Sequence, residues 1–363
     1  MKVKKRVADV IEVLEDFAPP KLAYSWDNVG LLIGERDSEI SKVLVCLDVT
    51  PSVVEHAIKN NFSLIIAHHP LIFNPLKNVT DPLILKLIRN NVSVYVMHTN
   101  LDLVKNGVSK ALADRLGLQN LKFIEQDTET YHIALYVPPE DVSIVADAVH
   151  RAGAGIIGNY SHCLNSYQVK GQFKPLEGSD PALGTYNKLE KLEETKLEFF
   201  VAKPLLDRVL NAIHTAHPYE TPAYAIYPQQ QSSLNYGLGI IGELANPLSL
   251  KELVILVKEK LVAPFVKLWL ANESPDKEVS KIAVCGGSGS SLIEKAANIA
   301  DVYISADFTY HKILESKIPL IDAGHFYTEY PILNVLKELL QPLNLDIEVL
   351  DITKADIGKL VCI

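Results

Sequence analysis

The sequence predicts an α/β protein in which one domain, built on a mostly parallel sheet, is split by an inserted unit of β-α-β-β-α-β order. Three observations carry this expectation. Short apolar strands and helices alternate at close spacing from Val43 to Met97, the pattern of a parallel sheet covered by helices. The same alternation resumes after Tyr236. Between the two lies a stretch, from about Tyr131 to Gln230, whose order is that of a ferredoxin-like unit. The expected boundaries are 1–128 and 233–363 for the two parts of the α/β domain and 129–232 for the insert. Three independent domains in series would be the alternative. Insertion is favoured because polar residues suited to one site stand on both sides of the middle segment, and insertions succeed at exposed loops.

Each element has a local reason. Val7, Val10, Ile11, Leu14 and Phe17 share one helical face, and Pro19-Pro20 stops that helix. Val43–Leu47 reads as a strand, followed by a helix capped by Thr50 with Pro51 in its first turn. Leu64-Ile65-Ile66-Ala67 is a short branched run bounded by His68-His69-Pro70, hence a buried strand. Asp81-Pro82 opens a helix to Arg89, and Val92–Met97 forms the next strand. In the insert, strands are expected at His132–Val137, Ser166–Phe173, Lys196–Val201 and Ala223–Tyr227, with helices at Asp141–Ala152 and Pro204–His214. A loop-rich, charged stretch spans Gly178 to Glu194. Beyond it come a helix at Leu250–Leu261, strands at Ile282–Cys285, Val302–Ile304 and Ile318–Ile321, and a helix at Ser290–Ala300.

The chain has 363 residues, 48% of them hydrophobic, ample for a large core. Its net charge of −9 gives no electrostatic footprint for nucleic acid or an anionic membrane, and neither is an expected partner. Cys46, Cys163, Cys285 and Cys362 are widely spaced and read as reduced thiols. The charged, amphipathic Met1–Val13 segment has no signal-peptide core, and no apolar run reaches the length of a membrane span, so a cytoplasmic location is expected.

The chemistry gathers at strand ends. Two imidazoles, His68 and His69, follow one strand, and His98-Thr99-Asn100-Leu101-Asp102 follows another. Asp322-Ala323-Gly324-His325 follows a third, with Glu329 four residues beyond His325. A helix beginning near Thr328 would carry Glu329 towards His325. Imidazole and carboxylate are ligands for Zn²⁺, Mn²⁺ or Fe²⁺, and clustered thiolates of a structural zinc site are missing. Five such groups exceed what one catalytic zinc takes and suit two bridged ions. Asp102 is the natural bridge, since a carboxylate binds through both oxygens. His98 is open between three roles: ligand, hydrogen-bond donor to a ligand, or an ordinary hydrogen-bonded histidine.

Three other features have bland and functional readings. Gly286-Gly287-Ser288-Gly289 sits where a phosphate cradle would, but lacks a P-loop lysine and a dinucleotide fingerprint, so a tight turn is preferred. Ser288 has no nucleophile elbow around it. Trp26-Asp27-Asn28 is either a packed turn or a wall of the metal cleft. The insert histidines His132, His150, His162, His214 and His217 are dispersed and read as structural, although His217-Pro218-Tyr219-Glu220 is a conceivable ligand contact.

Four segments together are specific: Ser25-Trp26-Asp27-Asn28-Val29-Gly30-Leu31, Ala67-His68-His69-Pro70-Leu71, His98-Thr99-Asn100-Leu101-Asp102 and Gly324-His325-Phe326-Tyr327-Thr328-Glu329. They resemble the dinuclear-metal family called GTP cyclohydrolase I type 2, or Nif-three-like, over nearly the whole chain. Gly153-Ala154-Gly155, Gly158–Cys163 and His217–Tyr224 resemble the nitrogen-regulator-like insert of its longer bacterial members. The resemblance implies a Nif-three-like α/β domain split by a ferredoxin-like insert. It implies two divalent ions per subunit, zinc first and manganese or iron next, on His68, His69, Asp102, His325 and Glu329. It further implies a toroidal homohexamer and a metal-dependent hydrolase acting on a small molecule such as a nucleotide, with water attacking the guanine ring of GTP. His98 and His311, the latter in Ser305–His311, are candidates for proton transfer. The contrasting expectation is a non-catalytic, metal-handling or regulatory assembly with the insert as sensor or gate.

Overall fold

The computed structural model describes residues 5–126, 129–230 and 236–351. The chain divides into two compact units, one of residues 1–125 with 236–363 and one of residues 126–235.

The first unit contains two sheets where the sequence led us to expect one. The five-stranded sheet runs, in spatial order, Gly30–Ile33, Ser93–Val96, Leu64–Ala67, Lys42–Cys46 and Asp346–Val349. Only Gly30–Ile33 is antiparallel to its neighbour; the other pairings are parallel. Leu64–Ala67 and Ser93–Val96 are buried at every position, as expected for parallel strands covered on both faces. On one face Val43, Val45, Leu64, Ile66 and Tyr95 meet the helices Val7–Phe17 and Ile332–Leu340. On the other, Leu44, Ile65, Val94 and Val96 meet the helices Pro51–Lys59 and Pro82–Arg89. Those helices start where the caps require: Thr50 Oγ1 accepts from the Val53 N–H at 3.4 Å, and Asp81 Oδ1 from the Leu83 N–H at 2.7 Å.

The six-stranded sheet is ordered Lys267–Trp269, Leu320–Asp322, Val302–Ala306, Glu278–Ser288, Gly237–Ser249 and Gln119–Gln126. Its three middle strands Leu320–Asp322, Val302–Ala306 and Glu278–Ser288 are parallel. Two exchanges separate the sheets from the simple halves of the chain. The late strand Asp346–Val349 joins the early sheet, and the early strand Gln119–Gln126 joins the late one. The helix Val108–Leu116 links the two cores, giving Val108 and Ala111 to the first and Leu112, Ala113 and Leu116 to the second. A strand's local pattern states that it is buried, but not which sheet it joins.

The second unit follows β-α-β-β-α-β order. Its strands Asn165–Phe173, Glu190–Ala202, Glu129–Val137 and Tyr224–Gln230 lie in that spatial order, antiparallel throughout. Ile133, Leu135, Val137, Leu197, Phe199 and Val201 alternate inward against Val145 and Val149 of the helix Val142–Arg151 and Val209 and Ile213 of the helix Leu206–Ala216. The strand Glu190–Ala202 begins inside the stretch expected to be loop, since its early residues alternate only weakly.

Among the described residues no helix is long and apolar enough to cross a membrane. Cys46, Cys163 and Cys285 are free thiols, and Cys362 lies outside the described residues.

Candidate metal centre

The C-terminal ends of the two sheets supply the centre. His68 and His69 follow Leu64–Ala67, so their side chains diverge: His68 is fully buried and His69 is half-buried. The His68 Nδ1–H donates to the Met97 carbonyl at 2.7 Å, which leaves Nε2 as the nitrogen available to a ligand. The His69 Nδ1–H donates to Asp48 Oδ1 at 2.8 Å, again leaving Nε2 free for a ligand. From the other sheet, a short helix begins at His325, three residues earlier than expected, and ends at Glu329. One helical turn therefore puts His325 Nε2 3.1 Å from Glu329 Oε1. The His325 Nδ1–H donates to Asp307 Oδ2 at 2.5 Å.

Glu329 stands at the focus. Its Oε1 is 3.5 Å from His68 Nε2, and its Oε2 is 3.0 Å from His69 Nε2. His68, His69 and Glu329 offer ligand atoms that all lie within 4.8 Å of one another, and this group could hold a metal ion. The fit has a second sign. Among the described residues His68 Nε2 and Glu329 Oε2 are buried without a hydrogen-bond partner, a costly state that a cation between them would relieve. Asp102, from the short helix Thr99–Asp102, approaches His68 Nε2 at 3.7 Å through Oδ1. His325 lies beside His69 with ring centroids 5.3 Å apart.

Charge is concentrated here. Burial alone would lower the basicity of the imidazoles, but the neighbouring carboxylates reverse it: His68 is raised, His69 to about 10 and His325 to about 9. Glu329 is held well below the usual carboxylate range despite burial, chiefly by the charge of His68 and by the His325 and His69 imidazoles beside it. Burial pushes Asp102 up to about 6, with Glu329 adding to the push and His68 opposing it. Without a cation, protons on the imidazoles balance the carboxylates.

His98 takes none of the three positions above. Its Nδ1–H donates to Asp27 Oδ1 at 2.8 Å, and its ring lies 5.4 Å from that of His68 and 5.6 Å from that of His69. Asp27 also accepts from the Thr99 N–H at 3.0 Å and the Thr99 hydroxyl at 2.6 Å. Despite burial, these bonds hold it down at about 2. Asp27 is thus an anchor under the centre, while its neighbour Trp26 is 55% exposed and forms a row with Tyr24 and Phe73 at ring distances of 5.7 and 5.8 Å. The Asn28 amide donates to the Ile72 carbonyl at 2.6 Å and ties the two loops of that row together. His311 is exposed on the helix Tyr310–Glu315, its ring edge-on to Tyr310; from its segment it is Asp307 that reaches the centre.

Asp48 and Asp307 escaped the sequence reading. Asp307 directly follows the buried strand Val302–Ala306 and Asp48 comes two residues after the strand Lys42–Cys46, a signal that was present but shared with many surface carboxylates. The glycine-rich segment is not the tight turn expected, since the strand Glu278–Ser288 runs through Gly286 and Gly287, and its task differs from cradling phosphate. Gly287 has φ +64°, and a Cβ there would lie 2.2 Å from Glu329 Oε1 and 3.1 Å from His325 Nε2. Its N–H donates to Thr328 Oγ1 at 3.0 Å and its carbonyl accepts from Ser305 Oγ at 3.0 Å, so the backbone is already engaged.

In the other unit, His217 is satisfied on both sides: its Nε2–H donates to the Tyr136 carbonyl at 2.8 Å and its Nδ1 accepts from the Tyr219 N–H at 3.0 Å. His132 packs beside Phe200 and Tyr227, His214 beside Tyr224, and His150 and His162 lie ring to ring at 4.5 Å.

Comparison with known proteins agrees with this architecture. The family described as Duf34/NIF3 (NGG1p interacting factor 3) matches residues 5–356. A Staphylococcus epidermidis protein named "GTP cyclohydrolase 1 type 2 homolog" is 38% identical over 345 residues, covering 93% of each chain. A Staphylococcus aureus protein of the same name is 37% identical over 358 residues, covering 94% of this chain and 96% of the relative. Among solved structures, a Bacillus cereus protein related to NIF3 matches over 100% of both chains with TM-score 0.81 and 34% identity. A matched family spanning almost every described residue, full-length relatives above 30% identity and a shared architecture lead to one conclusion: this chain belongs to the Duf34/NIF3 family.

Proposed function

We propose that the centre holds two divalent ions, with zinc as the first candidate, and that the protein is a metal-dependent hydrolase. The observation that carries this reading is the convergence of imidazole nitrogens whose opposite ring nitrogens are already committed to Met97, Asp48 and Asp307. His68, His69, Asp102, His325 and Glu329 would hold the ions; a set of neutral imidazoles and carboxylates also fits manganese or iron. Bound there, such ions lower the pKa of water to near neutrality and polarise the electrophilic centre of a substrate. The chain's own residues supply the rest. Asp27 fixes the His98 ring at the edge of the centre through Nδ1, which leaves the other ring nitrogen to take part in proton transfer. The row of Tyr24, Trp26 and Phe73 beside His98 offers flat apolar faces suited to a planar base, and this favours a nucleotide substrate.

The relatives' name directs the choice of reaction towards water attack on C8 of the guanine ring of GTP, with release of formate. We also take residues 126–235 as an inserted ferredoxin-like domain, supported by the order and antiparallel pairing of its four strands, and the working assembly as a toroidal homohexamer.

Metal-loaded protein is expected to turn over GTP or another cyclic amidine or phosphoester, and Asp102→Asn to abolish turnover. Loaded protein that is inert towards the whole panel, or Asp102→Asn with full activity, overturns the hydrolase. Inert protein with readily exchanging metal would favour the metal-handling assembly instead.

A further inference from the structure

The unit of residues 126–235 contains a cavity of about 590 Å³, well within the size range of small-molecule sites. One part of its wall is apolar: Phe173, Pro175, Leu176 and Leu183 line it, and Leu176 and Leu183 remain 66% and 44% exposed. The covering loop is tied down. The Asp180 N–H donates to Glu220 Oε1 at 3.2 Å, the Ser179 hydroxyl to the Leu176 carbonyl at 2.7 Å, and the Asn187 N–H to the Pro175 carbonyl at 2.9 Å.

Two polar groups meet this space. The Tyr219 ring is fixed edge-on against His217 at 4.9 Å, and its buried hydroxyl lies beside the Glu194 carboxylate. A buried hydroxyl on a rigid ring beside a carboxylate can still accept from a donor on a ligand. Beside it, Glu194 lies across the neighbouring strand over Gly171, where a Cβ would come within 2.1 Å of Glu194 Oε2. Glu194 makes no ion pair among the described residues. Burial, and after it the Glu194, Glu140 and Asp141 carboxylates, raise the Tyr219 phenol to about 12, so it keeps its proton at neutral pH. Glu194 and Glu220 both line the cavity, whereas its only lining cation, Lys174, is exposed. The local field therefore repels anions and attracts a cation.

We propose that this cavity binds a small organic amine, its protonated nitrogen held by Glu194 and the Tyr219 hydroxyl and its apolar body covering Leu176 and Leu183. The site is independent of the metal centre and of the hydrolase reading. Phenethylamine and cyclohexylamine are suitable probes, with phenylacetate as the anion of matched shape, titrated into the full-length protein by saturation-transfer NMR and by thermal shift. The amines are expected to bind and phenylacetate not to. Glu194→Gln should weaken the amines about tenfold or more, because it replaces a charge-assisted hydrogen bond by a neutral one. Tyr219→Phe, which removes one oxygen, should weaken them about fivefold and serves as the second variant where Glu194→Gln does not fold. Amines that fail to bind at millimolar concentration, phenylacetate binding as tightly as the amines, or amine affinity unchanged in the folded variants would each overturn the proposal.

Discussion

His68, His69 and His325 each commit one ring nitrogen to an oxygen that is not itself among the proposed ligands, and that commitment aims the other nitrogen. Asp48→Ala and Asp307→Ala should therefore leave the fold intact while weakening metal binding by about 10–100-fold, read by competition with a chelator. His325→Ala should go further and release metal with His68 and His69 intact; full retention would remove His325 from the ligand set. The same carboxylates govern pH dependence. In metal-free protein His69 and His325 have pKa values near 10 and 9 against 6.5 unfolded, so their stabilisation is complete below 6.5 and is lost as pH climbs through 9 and 10. Glu329, held below 4.5, stabilises above that value and loses its effect as pH falls. The melting temperature of metal-free protein should thus decline between pH 7 and 10. Metal loading near pH 8 should release protons, because the imidazoles must become neutral to ligate, and calorimetry in buffers of different ionisation enthalpy measures that release.

At the scale of elements, the strand Glu278–Ser288 brings a glycine to the one point where any side chain would strike the centre. Gly287→Ala should cost about 1–2 kcal/mol from its left-handed backbone alone. The added Cβ must also displace Glu329, so metal affinity should fall more than stability does, a split that denaturation and metal titration resolve together. The helix His325–Glu329 was legible as two ligand types four residues apart, but its start was misplaced. Gly324, with φ +83°, ends the extended segment abruptly and lets the helix begin at the next residue. The Trp26-Asp27-Asn28 turn could be read equally as packing or as cleft wall, and each residue does something different. Trp26 joins the exposed row, Asp27 anchors His98 and Thr99, and Asn28 ties in the loop at Ile72.

At the scale of the molecule, the strands Gln119–Gln126 and Gly237–Ser249 lie side by side, and a Cβ on Gly237 would sit 2.4 Å from the Glu125 carbonyl. The chain leaves and re-enters the first unit at nearly one point. Removing residues 126–235 and joining the ends with a short linker should leave a folded, metal-loading core, checked by circular dichroism and metal analysis; a deletion that unfolds the core would show that the units depend on each other. The sequence by itself determined several of the buried strands, Val43–Leu47, Leu64–Ala67 and Val92–Met97 among them, where Thr50 and Asp81 start helices, and that imidazoles and carboxylates gather at strand ends, because these follow from local periodicity, capping and residue chemistry. Only the tertiary structure decided that there are two sheets exchanging Gln119–Gln126 and Asp346–Val349, that Glu329 stands between His68, His69 and His325, and that Asp48, Asp307 and the Met97 carbonyl orient the rings. Those facts rest on pairings between residues far apart in the chain, and no local pattern of side chains carries the identity of a distant partner.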